Sequence, residues 1–392
     1  MKPSQRACEK DYSHKKSVAT LPGTRCPWVD STARSLKQFC MATSPLRDLE
    51  RILELDFVRA TEGAALNAFK WVGKGDKNAA DEAACDAIRG MFDLMDISAE
   101  VVIGEGIKDN APGIFLGERL GRWRPGSIRF DIALDPVDGT TNCAKGLPNS
   151  ISVLCAASPE PGVKQALRHL PSFYSSKLAY GPRVTSYMAR VGVDQVKLEN
   201  PIEENLELVA KALGKRVQDL TVVLLDRPRH DTLVKNIRAA GASLRMIGDG
   251  DIAAAIAPSL PDTGVDLYVG IGGSPEAVVA AAAIKCLGGD IQVKMWPRDE
   301  KEHAQLLKDG FEEDLKRVFL ADDLAHGKNI IFCATGISDS SLLPGIKIVN
   351  GRVVTHSMLM RGRYKTVRYL IAHHDLSSKT IRLRSDHKEH KL

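Results

Sequence analysis

The sequence predicts an α/β fold of the α+β kind, and three observations carry this prediction. Short apolar runs alternate with longer helical patterns from Val101 onward, which is typical of sheets covered by helices. The chain has 392 residues, 44% hydrophobic and 26% charged, enough to bury one large core or two fused lobes. Lys285 interrupts the alanine-rich run, so no apolar stretch reaches the length of a membrane span. The composition therefore excludes a membrane protein.

The most informative segment is Asp131–Thr141, which reads DIALDPVDGTT. Its apolar residues predict a short buried strand that ends at Asp135, because Pro136 stops the ladder and Gly139 allows a tight turn. Asp135 and Asp138 are then expected to point the same way at the strand end. Hard divalent cations bind carboxylate oxygens in such places and leave room for phosphate oxygens.

Thr140 and Thr141 follow these carboxylates at a predicted helix start. Free backbone N–H groups at the start of a helix attract anions, which suits a phosphate. The same residues also fit an ordinary turn after a strand. A metal and phosphate site and a plain turn are therefore both open for this segment alone.

Two further strands end in carboxylates. The apolar run Ala99–Ile107 delivers Glu105 between two glycines, and Asp109 follows four residues later. The predicted strand Val265–Val269 leads into GIGGSPE, with Glu276 in the first turn of an alanine-rich helix, where a carboxylate is favoured. Glu276 alone could be only a partner of the helix dipole. Strand ends commonly meet in one pocket, so three such carboxylates favour a shared site.

A basic segment follows the predicted strand Leu220–Leu225. Arg227, Pro228 and Arg229 stand at its end. Arginine side chains bind phosphate through two parallel N–H groups, so this pair predicts an anion-binding element.

Six ordered motifs together resemble class II fructose-1,6-bisphosphatase, the bacterial glycerol-operon type, within the lithium-sensitive metal-dependent phosphatases. The resemblance covers roughly residues 46–374. It implies a layered αβαβα sugar-phosphatase fold with two fused lobes. The motifs are WVGKGDKNAADEAA (71–84), VVIGEG with DNAP (101–112), DPVDGTT (135–141), DRPRHD (226–231), GDGDIAAAI (248–256) and GIGGSPE (270–276).

The resemblance also implies roles for individual residues, with Mn²⁺ or Mg²⁺ as the cofactor. The metal-binding carboxylates would be Asp81, Glu105, Asp135, Asp138 and Glu276. Catalysis would involve Lys77, Asp109 and Thr140, with the last two orienting and deprotonating the attacking water. Substrate would contact Asp138, Gly139, Thr140, Tyr174, Arg227, Pro228, Arg229, Asp249, Gly250, Asp251 and Gly273. Lys77 and Asp81 are four residues apart on a predicted helix and should share a face.

The expected reaction is release of the 1-phosphate of fructose 1,6-bisphosphate, in gluconeogenesis or carbon fixation. The same chemistry on sedoheptulose 1,7-bisphosphate, alone or with the fructose substrate, is the nearest alternative. One departure bears on specificity: the family commonly has glutamate where this chain has Asp138. Aspartate is usual there in the inositol phosphatases, but the paired Arg227 and Arg229 imply a second phosphate.

A binding module without turnover is the alternative from another class. The strand, glycine segment and helix over Val265–Leu287 resemble a nucleotide cradle. The glycine spacing does not match G-x-G-x-x-G, and no acidic residue about 20 positions further on stands at a predicted strand end. A nucleotide-binding regulatory module is therefore disfavoured.

The organisation predicted from these patterns has four parts. Residues 1–43 form a leader. Residues 44–198 form a metal-binding lobe, which begins with the helical segment Leu46–Leu94. Residues 199–374 form a sugar-phosphate-binding lobe, and residues 375–392 form a basic tail. The leader holds eight Lys/Arg and three Asp/Glu, which accounts for the whole net charge of +5. It fits an organelle transit peptide or an extension before a true start at Met41, so cytoplasm and plastid stroma both stay open.

The cysteines and the basic C-terminal segment limit the compartment and the kinds of partner that this chain could have. The eight cysteines lack C-x-x-C spacing and read as buried free thiols in a reducing compartment. Near the C-terminus, the segment RGRYKTVRYLIAHH alternates between two kinds of side chain, which predicts an edge strand. The basic residues of this segment match no nucleic-acid recognition motif. The expected partners are a small sugar bisphosphate and further copies of the chain, with no nucleic acid and no membrane.

Overall fold

The computed structural model describes residues 45–104, 113–192, 195–385 and 389–391, with side chains within these ranges from Leu53 to Ser385. By its contacts the chain divides into two units, residues 1–48 and 49–392, and the packing described below is that of the second. The leader predicted over residues 1–43, Glu105 and Asp109 lie outside the described residues. No helix in the described ranges is long and apolar enough to cross a bilayer.

The described elements, in chain order, mix strands and helices throughout. The strands are β1 Ile97–Ile103, β2 Arg119–Leu120, β3 Ile128–Asp138, β4 Ile151–Ala157, β5 Tyr174–Tyr180, β6 Thr221–Leu225, β7 Ser243–Ile247, β8 Leu267–Gly273, β9 Asp290–Trp296, β10 Ile330–Gly336, β11 Lys347–Val349, β12 Arg352–Arg361, β13 Thr366–His374, β14 Thr380–Arg382 and β15 Glu389–Lys391. The helices are α1 Pro45–Phe69, α2 Lys77–Phe92, α3 Thr140–Lys145, α4 Pro182–Val191, α5 Ile202–Leu213, α6 Asp231–Ala239, α7 Asp251–Ile256, α8 Ser274–Leu287, α9 Glu300–Lys308, α10 Glu312–Lys316 and α11 Ala321–Leu324. Single 3₁₀ turns span Val217–Asp219, Pro228–His230 and Ala257–Ser259.

Two sheets organise these elements. The first has eight strands in the order β11-β12-β10-β4-β3-β1-β2, with β13 paired to β12. In it β1 and β3 are parallel and the other pairs are antiparallel. The second has five strands in the order β7-β6-β8-β5-β9, with β6 parallel to both of its neighbours. Strands β14 and β15 form a separate pair.

Three apolar cores define the layers. One core joins α1 and α2 to the first sheet, the second fills the space between the sheets around α7 and α8, and the third joins α4, α5 and α6 to the second sheet. Alternate residues of β4 serve different cores: Val153 faces the middle core and Leu154 faces α1 and α2. A strand buried on both faces reads as a continuous apolar run. The predicted α/β fold and its αβαβα layering are confirmed; the division into lobes at residue 198 stays a prediction.

Helix α8 lies in the middle layer because of its composition. Five of its ten buried residues are alanines, between Ala277 and Ala283, so both sheets can approach its backbone closely. The prediction of proline and glutamate in its first turn is confirmed by Pro275 and Glu276. The predicted end of the strand at Val269 is wrong. Strand β8 continues through Gly270, Gly272 and Gly273, paired with β5.

The predicted helical segment Leu46–Leu94 consists of two helices, α1 and α2. Lys77 is the first residue of α2, and Asp81 follows in its second turn. Asp76 starts α2 as an N-cap, its side chain accepting the Ala79 N–H at 2.9 Å. Helix α5 begins after Pro201 and ends at Leu213, with Gly214 as its left-handed C-cap.

Strand β13 is the predicted edge strand, and it pairs with β12 alone among the described strands. Its alternation does not give a polar outward face. Tyr369 and Ile371 are 60% and 64% exposed, more than most large apolar residues of the chain. They flank Leu370, which packs against the core under the first sheet.

The five described cysteines are free and buried, which confirms that prediction for Cys85, Cys143, Cys155, Cys286 and Cys333. Burial raises the pKa of Cys143 to about 11 and that of Cys286 to about 12. Thiols of this kind are inert, because the thiolate is the reactive form.

A buried polar chain crosses the core under the first sheet. The Thr355 hydroxyl lies 2.8 Å from His374 Nε2 and donates to Glu62 at 3.4 Å. Burial, together with Lys379 and His373, lowers the pKa of His374 to about 4. The folded chain therefore holds this imidazole neutral at pH values where an unfolded histidine binds a proton.

This neutral histidine predicts acid sensitivity. As the pH falls below the unfolded pKa of about 6.5, the unfolded chain takes up a proton that folded His374 does not, so stability falls until the pH nears 4. We expect His374→Gln to reduce the loss of unfolding free energy between pH 7 and pH 5 by about 1 kcal/mol in urea titrations. The exposed His326 is the control, and His326→Gln should leave the pH dependence unchanged. Equal pH profiles for wild type and His374→Gln would refute this role.

Candidate active site

A β-bulge brings the two aspartates of DPVDGTT together. Asp135 is opposite Val153 of β4, whereas Asp138 is opposite Ile151, so β3 uses three residues where β4 uses two. Pro136 cannot donate to the ladder, and bulges accommodate such a residue. The prediction that β3 ends at Asp135 is wrong, because the strand resumes and ends at Asp138. The extra residue restores the alternation, so both aspartates lie on one face of the sheet.

Side-chain contacts stabilise this bulge. The Val137 N–H donates to Asp135 Oδ1 at 3.0 Å, so the bulged amide is satisfied locally. Asp135 and Asp138 are 5% and 4% exposed. Two carboxylates are thus buried at the end of one strand.

Asp138 is the centre of an acidic cluster. Its pKa lies well above the ordinary range, because burial disfavours the charge and because Asp251, Asp249 and Glu276 add negative potential. Its Oδ2 accepts one long hydrogen bond, from the Ala253 N–H at 3.4 Å. The four carboxylates come from β3, from the turn before α7 and from the first turns of α7 and α8. The fold therefore concentrates negative charge that a cation would relieve.

Glu276 points into a space that glycine opens. A Cβ atom on Gly273 would lie 1.9 Å from Glu276 Oε2, so a side chain there would displace the Glu276 carboxylate. This Oε2 is buried, and no described residue donates a hydrogen bond to it. A buried acceptor oxygen beside an acidic cluster has the chemistry of a ligand for a hard cation.

The described residues hold only part of the predicted metal-binding set. Among them, no group of three or more His, Cys, Asp or Glu is placed to hold a metal ion. Of the five predicted ligands, Glu105 lies outside the described residues, as does the predicted catalytic Asp109. The carboxylate chemistry of Asp135, Asp138 and Glu276 and the unpartnered Glu276 oxygen still fit a divalent cation.

The loop before α2 contacts helix α3. Gly73 N–H donates to Cys143 O at 2.9 Å and Gly75 N–H to Ala144 O at 2.8 Å. These bonds place the start of α2, with Lys77, beside the helix that carries Thr140. Within α2, Lys77 is exposed and Asp81 is 7% exposed. Their shared face is therefore a boundary between solvent and the buried interior.

One helix-start amide already has an anionic partner. The Thr141 N–H donates to Asp249 Oδ2 at 3.1 Å, so the expectation of a free amide at this position is wrong. The carboxylate of Asp249 thereby connects the turn before α7 to the start of α3.

Lys177 and Tyr268 hold the Asp251 carboxylate in place through buried contacts. Lys177 Nζ lies 2.8 Å from Asp251 Oδ2, with the two side chains 1% and 6% exposed, and the Tyr268 hydroxyl donates to the same oxygen at 3.1 Å. A Cβ on Gly272 would lie 1.8 Å from that oxygen, so a side chain there would displace the carboxylate from Lys177 and Tyr268. The sequence prediction missed Lys177. Its signal was a lysine within the otherwise apolar second half of β5, where an unpaired charge is costly.

The arginines after β6 form hydrogen bonds to backbone carbonyls. Arg227 Nη1 donates to Gly248 O at 2.7 Å, and Arg229 Nη2 donates to Ile271 O at 2.8 Å. The Arg229 guanidinium also stacks over the Tyr174 ring, 4.7 Å from its centroid. These contacts fix both side chains near the turn before α7 and the end of β8, and Pro228 starts the 3₁₀ turn between them.

His230 has a structural role in this region. One ring nitrogen, Nδ1, donates to Leu225 O at 2.7 Å, and Nε2 accepts the Ile271 N–H at 2.7 Å. Burial lowers the pKa of His230, with Arg229 and Arg227 opposing protonation further. A neutral imidazole with both nitrogens engaged joins β6 to β8 and has no free group for catalysis.

The buried pair predicts a large stability effect. Lys177→Met should lower the unfolding free energy by about 3–5 kcal/mol, because Asp251 loses its counter-charge in a buried place. Lys177→Met combined with Asp251→Asn should recover most of this loss. Lys215, 38% exposed in its pair with Asp266, is the control, and Lys215→Met should cost under about 1 kcal/mol. Urea unfolding measures all four proteins, and equal losses for the two single lysine variants would contradict the assignment.

Comparison with known proteins identifies the family. The model for bacterial fructose-1,6-bisphosphatase, glpX-encoded, matches residues 51–374. A fructose-1,6-bisphosphatase class 2 of Haemophilus influenzae is 40% identical over 339 residues, which cover 84% of this chain and 97% of that protein. Fructose-1,6-bisphosphatase 1 class 2 of Escherichia coli is 38% identical over 344 residues, covering 84% and 97%.

Another relative carries two activities in its name. The D-fructose 1,6-bisphosphatase class 2/sedoheptulose 1,7-bisphosphatase of a Synechococcus strain is 36% identical over 344 residues, covering 82% of this chain and 95% of that protein. The family match spans the bulged aspartates, the acidic cluster and the arginine segment. The chain belongs to the class II fructose-1,6-bisphosphatase family.

Proposed function

We propose that this chain hydrolyses fructose 1,6-bisphosphate to fructose 6-phosphate and phosphate with a divalent metal. The observation that carries the proposal is the convergence of Asp138, Asp249, Asp251 and Glu276. A buried group of carboxylates is unfavourable alone and becomes favourable with a cation and a phosphate ester. Membership of the family supports the same reaction.

The metal-holding residues in this proposal are five carboxylates, two of them at the end of β3. They are Asp81, Glu105, Asp135, Asp138 and Glu276. Mn²⁺ and Mg²⁺ both suit such oxygen ligands. When bound, such a cation would neutralise charge that develops on the phosphate oxygens. The buried position of Asp135 and Asp138 would exclude bulk water and strengthen that interaction.

Residues in and near α3 would position and deprotonate the attacking water. Thr140, at the start of α3, would hold the attacking water through its hydroxyl, and Asp109 would accept the proton of that water. Lys77, beside α3, would place positive charge near the phosphate. Gly139 would present its backbone to the phosphate, and its φ angle of 87° is one that glycine adopts without strain.

The sugar and the second phosphate would bind on the side of α7 and β8. Asp249 and Asp251, with Gly250 between them, would accept hydrogen bonds from sugar hydroxyls. Arg227 and Arg229 would bind the distal phosphate through the N–H groups that their backbone contacts leave free. Pro228, Tyr174 and Gly273 complete this set, with Tyr174 supporting the Arg229 guanidinium.

Sedoheptulose 1,7-bisphosphate is the second candidate substrate. The dual name of the Synechococcus relative favours it, as does the short Asp138 arm, which leaves more room than glutamate. The basic pair after β6 disfavours an inositol monophosphate. A nucleotide cradle is also disfavoured, because β8 runs straight through its glycines. We further propose that the working form is a homo-oligomer.

The direct test is phosphate release by the purified full chain with Mn²⁺ or Mg²⁺. The panel consists of fructose 1,6-bisphosphate, sedoheptulose 1,7-bisphosphate, fructose 1-phosphate and inositol 1-phosphate. We expect a bisphosphate kcat/KM at least about tenfold above the monophosphates, or about 1.4 kcal/mol. Equal turnover of the monophosphates would overturn the assignment of the distal site.

Replacing Asp135 separates catalysis from folding. Asp135→Asn removes one charge of the bulge pair and should lower kcat at least about 100-fold. Without metal the variant should be at least as stable as wild type in thermal unfolding, because a neutral amide of the same shape replaces a buried carboxylate. Asp219→Asn, an exposed surface change, is the control and should leave kcat unchanged. Retained turnover in Asp135→Asn would count against the site.

Replacing Arg229 tests the distal phosphate. Arg229→Lys removes the planar group that stacks on Tyr174, so the KM for fructose 1,6-bisphosphate should rise about tenfold or more. The exposed Arg238 on α6 is the matched control, and Arg238→Lys should change KM less than about twofold. Steady-state kinetics decide, and an unchanged KM in Arg229→Lys would place the distal phosphate elsewhere.

A further inference from the structure

Asn149 occupies a junction between two turns of the site. It precedes β4 with a φ angle of 76°, in the left-handed region that asparagine tolerates better than most residues. Its backbone N–H donates to Asp339 O at 2.7 Å, which ties it to the loop after β10. No motif marked this residue in the sequence.

The Asn149 side chain binds the sugar-side turn. Its Nδ2 donates to Asp249 O at 2.6 Å and to Gly250 O at 2.8 Å. Both N–H groups of the amide are thus directed at the turn that presents Asp249 and Asp251. Neither an aliphatic nor a carboxylate side chain could make this contact, because the turn offers only acceptors.

The Asn149 backbone carbonyl contacts both turns. A Cβ on Gly139 would lie 2.4 Å from this oxygen, and a Cβ on Gly250 would lie 2.5 Å from it. Gly139 and Gly250 have φ angles of 87° and 81° and begin helices α3 and α7. Both glycine turns therefore pack on one peptide group.

Asn142 strengthens the junction from the α3 side. Its Nδ2 donates to Asn149 O at 3.2 Å and to Asp249 O at 3.1 Å. The Asp138–Gly139–Thr140 turn and the Asp249–Gly250–Asp251 turn are thus joined through two asparagine amides. Such a junction sets the spacing between the turns more rigidly than van der Waals packing alone.

We propose that Asn149 is a positioning residue, which sets the distance between the phosphate-cleaving turn and the sugar-binding turn. The inference rests on the proposed function, in which Asp138 and Thr140 act on the phosphate and Asp249 and Asp251 hold the sugar. A sugar bisphosphate spans both turns, so its scissile phosphate is placed correctly only when their spacing is correct. Misplacement by about 1 Å lowers turnover about 100-fold.

The experiment compares Asn149→Gly with the wild-type full chain. Glycine keeps the left-handed backbone and removes only the side-chain amide. We expect kcat for fructose 1,6-bisphosphate to fall about 100-fold, with KM changing less than about fivefold. The affinity for Mn²⁺, titrated by calorimetry, should stay within about threefold, because no proposed metal ligand contacts this amide. A variant that was only less stable would keep both constants in its folded fraction.

Two further variants complete the test. Asn350→Gly is the matched control, since Asn350 has a φ angle of 51° in the turn between β11 and β12. It should leave kcat unchanged. Asn142→Ala weakens the same junction and should lower kcat about tenfold, which keeps the test decisive if Asn149→Gly does not fold.

The outcomes separate this inference from the proposed function. A kcat within threefold of wild type in Asn149→Gly, or in Asn142→Ala where only that variant folds, overturns the positioning role. A loss of Mn²⁺ affinity in parallel with kcat also overturns the positioning role, because the substitution would then have disturbed metal binding and not only the spacing of the turns. A wild-type chain that binds Mn²⁺ but releases no phosphate from fructose 1,6-bisphosphate overturns the proposed function, and with it this inference.

Discussion

The burial of Asp138 among three other carboxylates is the constraint on which the rest of the site depends. These carboxylates lie close enough to raise the pKa of Asp138, and water is largely excluded from it. Lys177 compensates Asp251 directly, whereas the buried Glu276 Oε2 has no donor among the described residues. The fold has therefore paired one part of the cluster and left another part with the chemistry of a cation ligand.

A β-bulge and close backbone approaches at glycines bring these side chains together. The bulge at Pro136 puts two aspartates on one face of β3, and the glycines at the end of β8 let the carboxylates of Asp251 and Glu276 approach its backbone. The small residues of α8 allow both sheets to close on the middle layer that carries these helices. Close approach of backbone and carboxylate is thus the common principle of the site.

Much of this arrangement could be predicted from local patterns. Apolar runs, capping residues and strand-end carboxylates predicted the layered fold and located Asp135, Asp138 and Glu276. The bulge, the continuation of β8 and the burial of Lys177 depend on partners far away in the chain, so local patterns could not give them. Asn149 contacts residues 100 positions away, and only the folded backbone shows that its amide joins two turns.

The most direct measurement is a calorimetric titration of the metal-free protein with Mn²⁺, for wild type and for Glu276→Gln. The account predicts that wild type binds Mn²⁺ and that Glu276→Gln binds it at least about tenfold more weakly. The variant should also be no less stable than wild type without metal, because it loses one charge from a repulsive cluster. Equal Mn²⁺ affinity in the two proteins would contradict the claim that this buried carboxylate group exists to hold a cation.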